Sequence, residues 1–212
     1  LLPYQKLLAD LESDDIIIKN KYLFSDLFIK EPDFLNYDKE YAEKTKESRN
    51  VREKFIKNII LQKGFDAVWE FEKTVKYKEG VANALFDLYG TDIGKEIYRR
   101  YYNGDLDEVF AKQYFCTIFY EKGDSAYIPM IEELKAVSEK HISILLYAPG
   151  YQKNLSEIAK TSSSDIEKEY WSKVAVSIFP ETEIENIIKK LCYVGRYGDT
   201  LRIITFNRNS NV

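Results

Sequence analysis

The chain of 212 residues is poor in the side chains from which most enzyme sites are built. It has one histidine, His141, so a nucleophilic triad, a His-based zinc site or a haem ligand would each depend on that residue. His141 stands between Lys140 and Ile142 without an HExxH context and reads as a structural or surface side chain. Cysteine is limited to Cys116 and Cys192, both on helical patterns. That excludes a disulfide scaffold and predicts two buried, reduced thiols in a reducing, cytoplasmic setting. No GxxxxGK[ST] or GxGxxG stretch is present to cradle a nucleotide. The acidic pairs Asp14-Asp15 and Glu132-Glu133 and the group Asp105, Asp107, Glu108 lack calcium-loop and di-iron spacing, so no cofactor and no metal is expected. The longest uncharged runs, such as 142–151, are half of the roughly 20 residues a bilayer span requires, so no membrane partner is expected either.

Only five prolines and nine glycines interrupt the chain, which favours helices over loops. The formal charge is −4 and no segment is strongly basic, so binding to a phosphate backbone is not the default. The first residues are Leu1-Leu2 without a methionine, and the chain reads as a fragment of something longer: a single α-helical repeat domain over 1–212.

Apolar residues recur at helical spacing almost throughout. Pro3 with Leu7, Leu8 and Leu11 predicts a first helix, and Ser13 or Asp14 caps a second that runs to Ile29 and stops at Pro32. Over 38–57 the charge is dense and mixed, then Val51, Phe55, Ile56, Ile59 and Ile60 follow. The reading is one long helix, solvated first and buried later, with a flexible connector before Ser48 as the alternative. Further helices are predicted over 65–75, 78–89, 93–102, 105–121, 128–136, 141–148 and 166–179. The one over 105–121 is apolar around most of its circumference and should be buried, and Pro129 fits a first turn. Ser164 with Glu167 and Thr182 with Glu185 have capping-box spacing, and 207–212 reads as a frayed tail. About a dozen helices result and no alternating strand pattern persists, so the fold class is all-α.

The stretch 184–204 has the form of a helix–elbow–helix. Ile184, Ile187, Ile188, Leu191 and Val194 make one stripe, Gly195 ends it, and Tyr197, Leu201 and Ile204 begin another. Similar elbows stand at Gly64, Gly104 and Gly150, so the four glycines are 40, 46 and 45 residues apart. A near-regular period of this size marks stacked helical units. Gly195-Arg-Tyr197-Gly-Asp-Thr-Leu201 and Gly104-Asp-Leu106-Asp-Glu-Val109 resemble the turn between the two helices of a tetratricopeptide repeat. The full Trp, Leu-Gly, Ala and Pro pattern of that family is absent, and the period is nearer HEAT or armadillo length. The arrangement Tyr170-Trp171-Ser-Lys-Val174 with Gly195-Arg-Tyr-Gly198 is similar to helical-repeat portions of large bacterial multidomain proteins. These resemblances imply a right-handed α-α superhelix of antiparallel helices with an extended binding surface.

One cluster carries binding chemistry: Tyr98, Arg99, Arg100, Tyr101 and Tyr102. Arginine pairs phosphate or carboxylate bidentately, and tyrosine supplies stacking and contact area at interfaces. Seventeen tyrosines make such contact area plentiful. The expected function is a non-enzymatic scaffold that binds a protein or peptide partner. Binding of RNA or single-stranded DNA through the 98–102 cluster is the alternative, and an enzyme with a cleft in a helical bundle ranks third.

Overall fold

A computed structural model describes residues 14–27, 29, 40–177 and 179–210, with side chains as far as residue 205. Every regular element among them is helical, and none is a strand. The α-helices are α1 (Ile16–Asn20), α2 (Tyr41–Lys63), α3 (Asp66–Thr74), α4 (Lys78–Tyr89), α5 (Gly94–Tyr102) and α6 (Glu108–Lys122), then α7 (Asp124–Lys135), α8 (Ser143–Tyr147), α9 (Lys153–Thr161), α10 (Ser164–Lys173), α11 (Ile184–Tyr193) and α12 (Tyr197–Ser210). Short 3-10 turns occupy Lys21–Phe24, Glu139–His141 and Glu181–Glu183. Among the described residues, no helix is long and apolar enough to cross a membrane. The all-α expectation and the approximate helix number are therefore met.

The chain divides into two compact units, Leu1–Tyr114 and Phe115–Val212. In the first, α2 is a single 23-residue helix, so the connector alternative before Ser48 does not apply. Its buried face is Ser48, Arg52, Phe55, Ile56 and Ile59, all in its second half or just before it, and it packs on α3 and α4. Phe24, Phe55 and Phe71 meet with ring centroids 5.1–5.8 Å apart. Each such ring contact adds about 0.5–1.5 kcal/mol beyond the area it buries.

The polar centre of this core is Arg52, 4% exposed. Its Nε donates to Leu23 O at 2.7 Å and its Nη2 to Asp26 O at 2.6 Å. Its guanidinium lies 4.7 Å from the Tyr77 ring centroid and 5.7 Å from that of Phe24. Tyr77 in turn covers Gly80, where a Cβ would come within 2.7 Å of the ring. The glycine in α4 is thus required for close packing.

In the second unit, α8 packs on α9 and α10, α10 on α11, and α11 on α12. Tyr127, Tyr147 and Tyr170 are fully buried there, with Tyr127 Oη donating to Leu145 O at 2.8 Å. Ser143 on α8 donates to Glu169 on α10 at 2.6 Å, and Lys173 pairs with the same carboxylate at 3.2 Å.

Several boundaries differ from the sequence reading. The second helix is only Ile16–Asn20, capped by the Asp15 carboxylate, which accepts from Ile17 N at 2.8 Å. A 3-10 turn replaces its expected continuation, because Arg52 draws the Leu23 and Asp26 carbonyls inward. α7 starts at Asp124, so Pro129 lies in its interior and not in its first turn. α10 ends at Lys173, well before Pro180, because the Ala175 carbonyl is claimed by Tyr151 N–H at 2.8 Å. Ser163 caps that helix instead of Ser164, accepting from Ile166 N at 3.3 Å. Thr182 caps nothing, since it sits inside a 3-10 turn. The backbone over 207–210 continues α12 where a frayed tail was expected. Pro3, Leu7, Leu8, Leu11 and Pro32 lie outside the described residues.

Candidate functional site

The elbow between α11 and α12 is built from the backbone outward. Gly195 has φ +79°, a conformation that costs other L-residues about 1–2 kcal/mol. Its N–H donates to Cys192 O at 3.0 Å and the Arg196 N–H to Leu191 O at 2.8 Å, the two bonds of a Schellman turn. Gly104 repeats that geometry, with bonds from Gly104 N to Tyr101 O and from Asp105 N to Arg100 O at 3.1 and 2.9 Å. Gly64 and Gly150 also have positive φ, but neither makes this pair of bonds. Gly90 and Gly123, not counted among the elbows, have positive φ as well.

Arg196 fixes the elbow to the end of α10. Its Nη1 donates to Trp171 O at 3.0 Å and to Val174 O at 2.7 Å, satisfying carbonyls at the end of α10. Its Nε reaches Asp199 Oδ2 at 2.8 Å. Lys190 pairs with Glu167 at 2.7 Å and adds a second tie between α11 and α10. Thr200 and Ile203 are the buried side of α12, and Ile187 and Leu191 that of α11.

Three large side chains of this hairpin are exposed. Tyr193 is 76% exposed, Tyr197 64% and Leu201 65%. Tyr197 and Leu201 are one helical turn apart and so share a face of α12. The sequence reading had assigned Tyr197 and Leu201 to a packing stripe. The structure turns both outward and buries Thr200 and Ile203 in their place. A polar residue inside and two apolar residues outside invert the usual pattern, and that inversion conceals the face from a periodicity count.

The 98–102 cluster is split by α5. Tyr98 is fully buried, and Tyr102 rests edge-on against it at 5.9 Å. Arg100 donates from Nε to Glu96 Oε1 at 2.7 Å and stacks 4.6 Å from the Trp69 centroid. Arg99 pairs with the other oxygen of Glu96. Tyr101 and Tyr102 are half-buried. The structure therefore brings Arg99 and Arg100 together on one carboxylate, with which an incoming phosphate would compete.

The remaining candidates are dispersed. His141 is half-exposed with Nδ1 3.0 Å from Ser138 Oγ. Cys116 and Cys192 are not disulfide-bonded and are half-buried, where buried thiols were expected; Cys192 Sγ is 3.7 Å from Thr200 Oγ1. Among the described residues, no three His, Cys, Asp or Glu side chains gather to hold a metal ion. Compared with known proteins, the chain matches no family model, no curated protein and no solved structure.

Proposed function

We propose that the chain is a non-enzymatic protein-interaction module of stacked helix pairs, a right-handed helical-repeat scaffold that binds a protein or peptide partner. The observation that carries this reading is the exposure of Tyr193, Tyr197 and Leu201 on a hairpin held by Gly195 and Arg196. Tyrosine gives large contact area at little entropic cost, and a fixed backbone limits what must be ordered on binding. Nucleic-acid binding at 98–102 is the weaker alternative, because Glu96 already engages both guanidinium groups.

The test compares the immobilised wild-type chain with a Tyr193→Ala, Tyr197→Ala, Leu201→Ala variant and with a Leu61→Ala control, whose leucine is equally exposed on α2. A partner that wild type and control retain, and that the triple variant binds at least about tenfold more weakly, supports the reading. Equal retention by all three, or turnover located in this chain, overturns it. Circular dichroism should be unchanged in the triple variant, since exposed truncations move stability by no more than about 0.5 kcal/mol each.

A further inference from the structure

Glu72 is 1% exposed in the last turn of α3, a position where an ionised carboxylate normally requires full pairing. Lys78 Nζ, at the first residue of α4, lies 3.0 Å from Glu72 Oε1. That contact is close but poorly aligned as a hydrogen bond. The aligned bond of Lys78 goes instead to Asp107 Oδ2, also at 3.0 Å. Asp107 precedes α6 and caps it, accepting from Val109 N at 2.8 Å. One ammonium therefore joins the end of α3, the start of α4 and the start of α6, all within the first unit.

We propose that Glu72, Lys78 and Asp107 form an acid-responsive latch in which proton uptake by Glu72 passes Lys78 from two carboxylates to Asp107 alone. The two acids differ in their surroundings. Burial pushes Glu72 up, and Lys78 offsets this only in part. For Asp107 burial acts in the same direction, but Lys78 and the Val109 N–H outweigh it and hold the carboxyl below its usual range. The charged groups that face Glu72 are Lys73 on its own helix, Lys78 on α4 and Asp107 before α6. On α2, the buried Arg52 is directed to the carbonyls of Leu23 and Asp26.

The signs are opposite. A carboxyl raised by folding is charged at a cost, so the cost disappears as pH falls through its folded value. A carboxyl lowered by folding contributes stability above its unfolded value and loses it as pH falls through the folded one. Acidification from neutral pH should therefore first relieve Glu72 with α6 still held. Only further acidification should release Asp107 and the start of α6.

Urea unfolding of the full chain as a function of pH tests this, with Glu72→Gln and Asp107→Asn as variants. Wild type should gain in unfolding midpoint between neutral pH and the ordinary glutamate range, then lose below the ordinary aspartate range. Glu72→Gln should abolish the gain and keep the loss, and Asp107→Asn the reverse. Carbon-detected NMR titration of the Glu72 carboxyl in the wild type gives a readout that does not depend on either variant folding. A Glu72 that titrates at or below the ordinary glutamate value, or a pH profile unchanged by Glu72→Gln, overturns the proposal.

Discussion

Arg52 shows what a single charge does inside the first unit. Its Nε and Nη2 donate to the backbone carbonyls of Leu23 and Asp26, and its guanidinium lies over the Tyr77 ring. Burial lowers its affinity for a proton, opposed by Tyr77 and Asp26, yet guanidinium stays charged because its ordinary value is so high. Arg52→Ala removes the donor to the carbonyl of the buried Leu23 and to that of the exposed Asp26 and should cost about 2 kcal/mol or more, read as a lower urea midpoint. Arg52→Lys should recover little of it, because a single ammonium cannot span both carbonyls and stack on a ring. The same packing makes Gly80→Ala unfavourable. In an exposed helix interior that change gains about 1 kcal/mol, but here the methyl meets Tyr77 at 2.7 Å and the thermal midpoint should fall. Neither role was legible in the sequence. Arg52 there is one of many charges in a solvated-looking stretch, and Gly80 is one glycine inside a helical pattern. Each is specified by a residue more than twenty positions away or by a ring folding back on its own helix.

At the level of elements, existence and type were legible because a stripe of apolar residues at helical spacing is a local property. Ends were less so. The run Thr161-Ser-Ser-Ser164-Asp165 offers several caps of equal chemistry, and only the bond from Ile166 N to Ser163 Oγ selects one. The end of α10 is set from afar, by Tyr151 N–H on Ala175 O and by Arg196 on Trp171 O and Val174 O. The elbows illustrate the same limit. Glycine was expected at all four and has positive φ at all four, but only Gly104 and Gly195 close the two-bond turn. A matched pair separates backbone geometry from space. No atom lies within 4 Å of a Cβ added at Gly195 or at Gly198. Gly195→Ala should nevertheless lose about 1–2 kcal/mol through its positive φ, whereas Gly198→Ala, in the first turn of α12, should be neutral or gain up to about 1 kcal/mol. Differential scanning calorimetry of the two variants reads the contrast, and equal midpoints would show that the turn is not what fixes the elbow. If Gly195→Ala also weakens partner binding more than its stability loss explains, the rigidity of the hairpin contributes to recognition by Tyr193, Tyr197 and Leu201.

For the molecule as a whole, the abundance of tyrosine couples folding to alkaline pH in both units. Burial pushes the hydroxyls of Tyr77 and Tyr114 up in the first unit and those of Tyr127, Tyr151 and Tyr170 up in the second. These groups are neutral when folded, and ionisation is easier once the chain opens. Stability is therefore intact below the value of a free tyrosine, about 10, and is lost as pH rises above it toward the folded values. The phenolate absorbance of the buried tyrosines should accordingly rise only as the chain unfolds at alkaline pH, and in urea that delay should disappear. The Tyr151 and Tyr170 hydroxyls are buried without an aligned partner, unlike that of Tyr127, which donates to Leu145 O. Tyr170→Phe should then leave the neutral-pH midpoint unchanged or slightly raised and flatten the alkaline loss. Tyr127→Phe should lower the midpoint by about 1 kcal/mol, since it strands a buried carbonyl. Equal effects of the two substitutions would mean that both hydroxyls are equally well satisfied, against the geometry of the second unit.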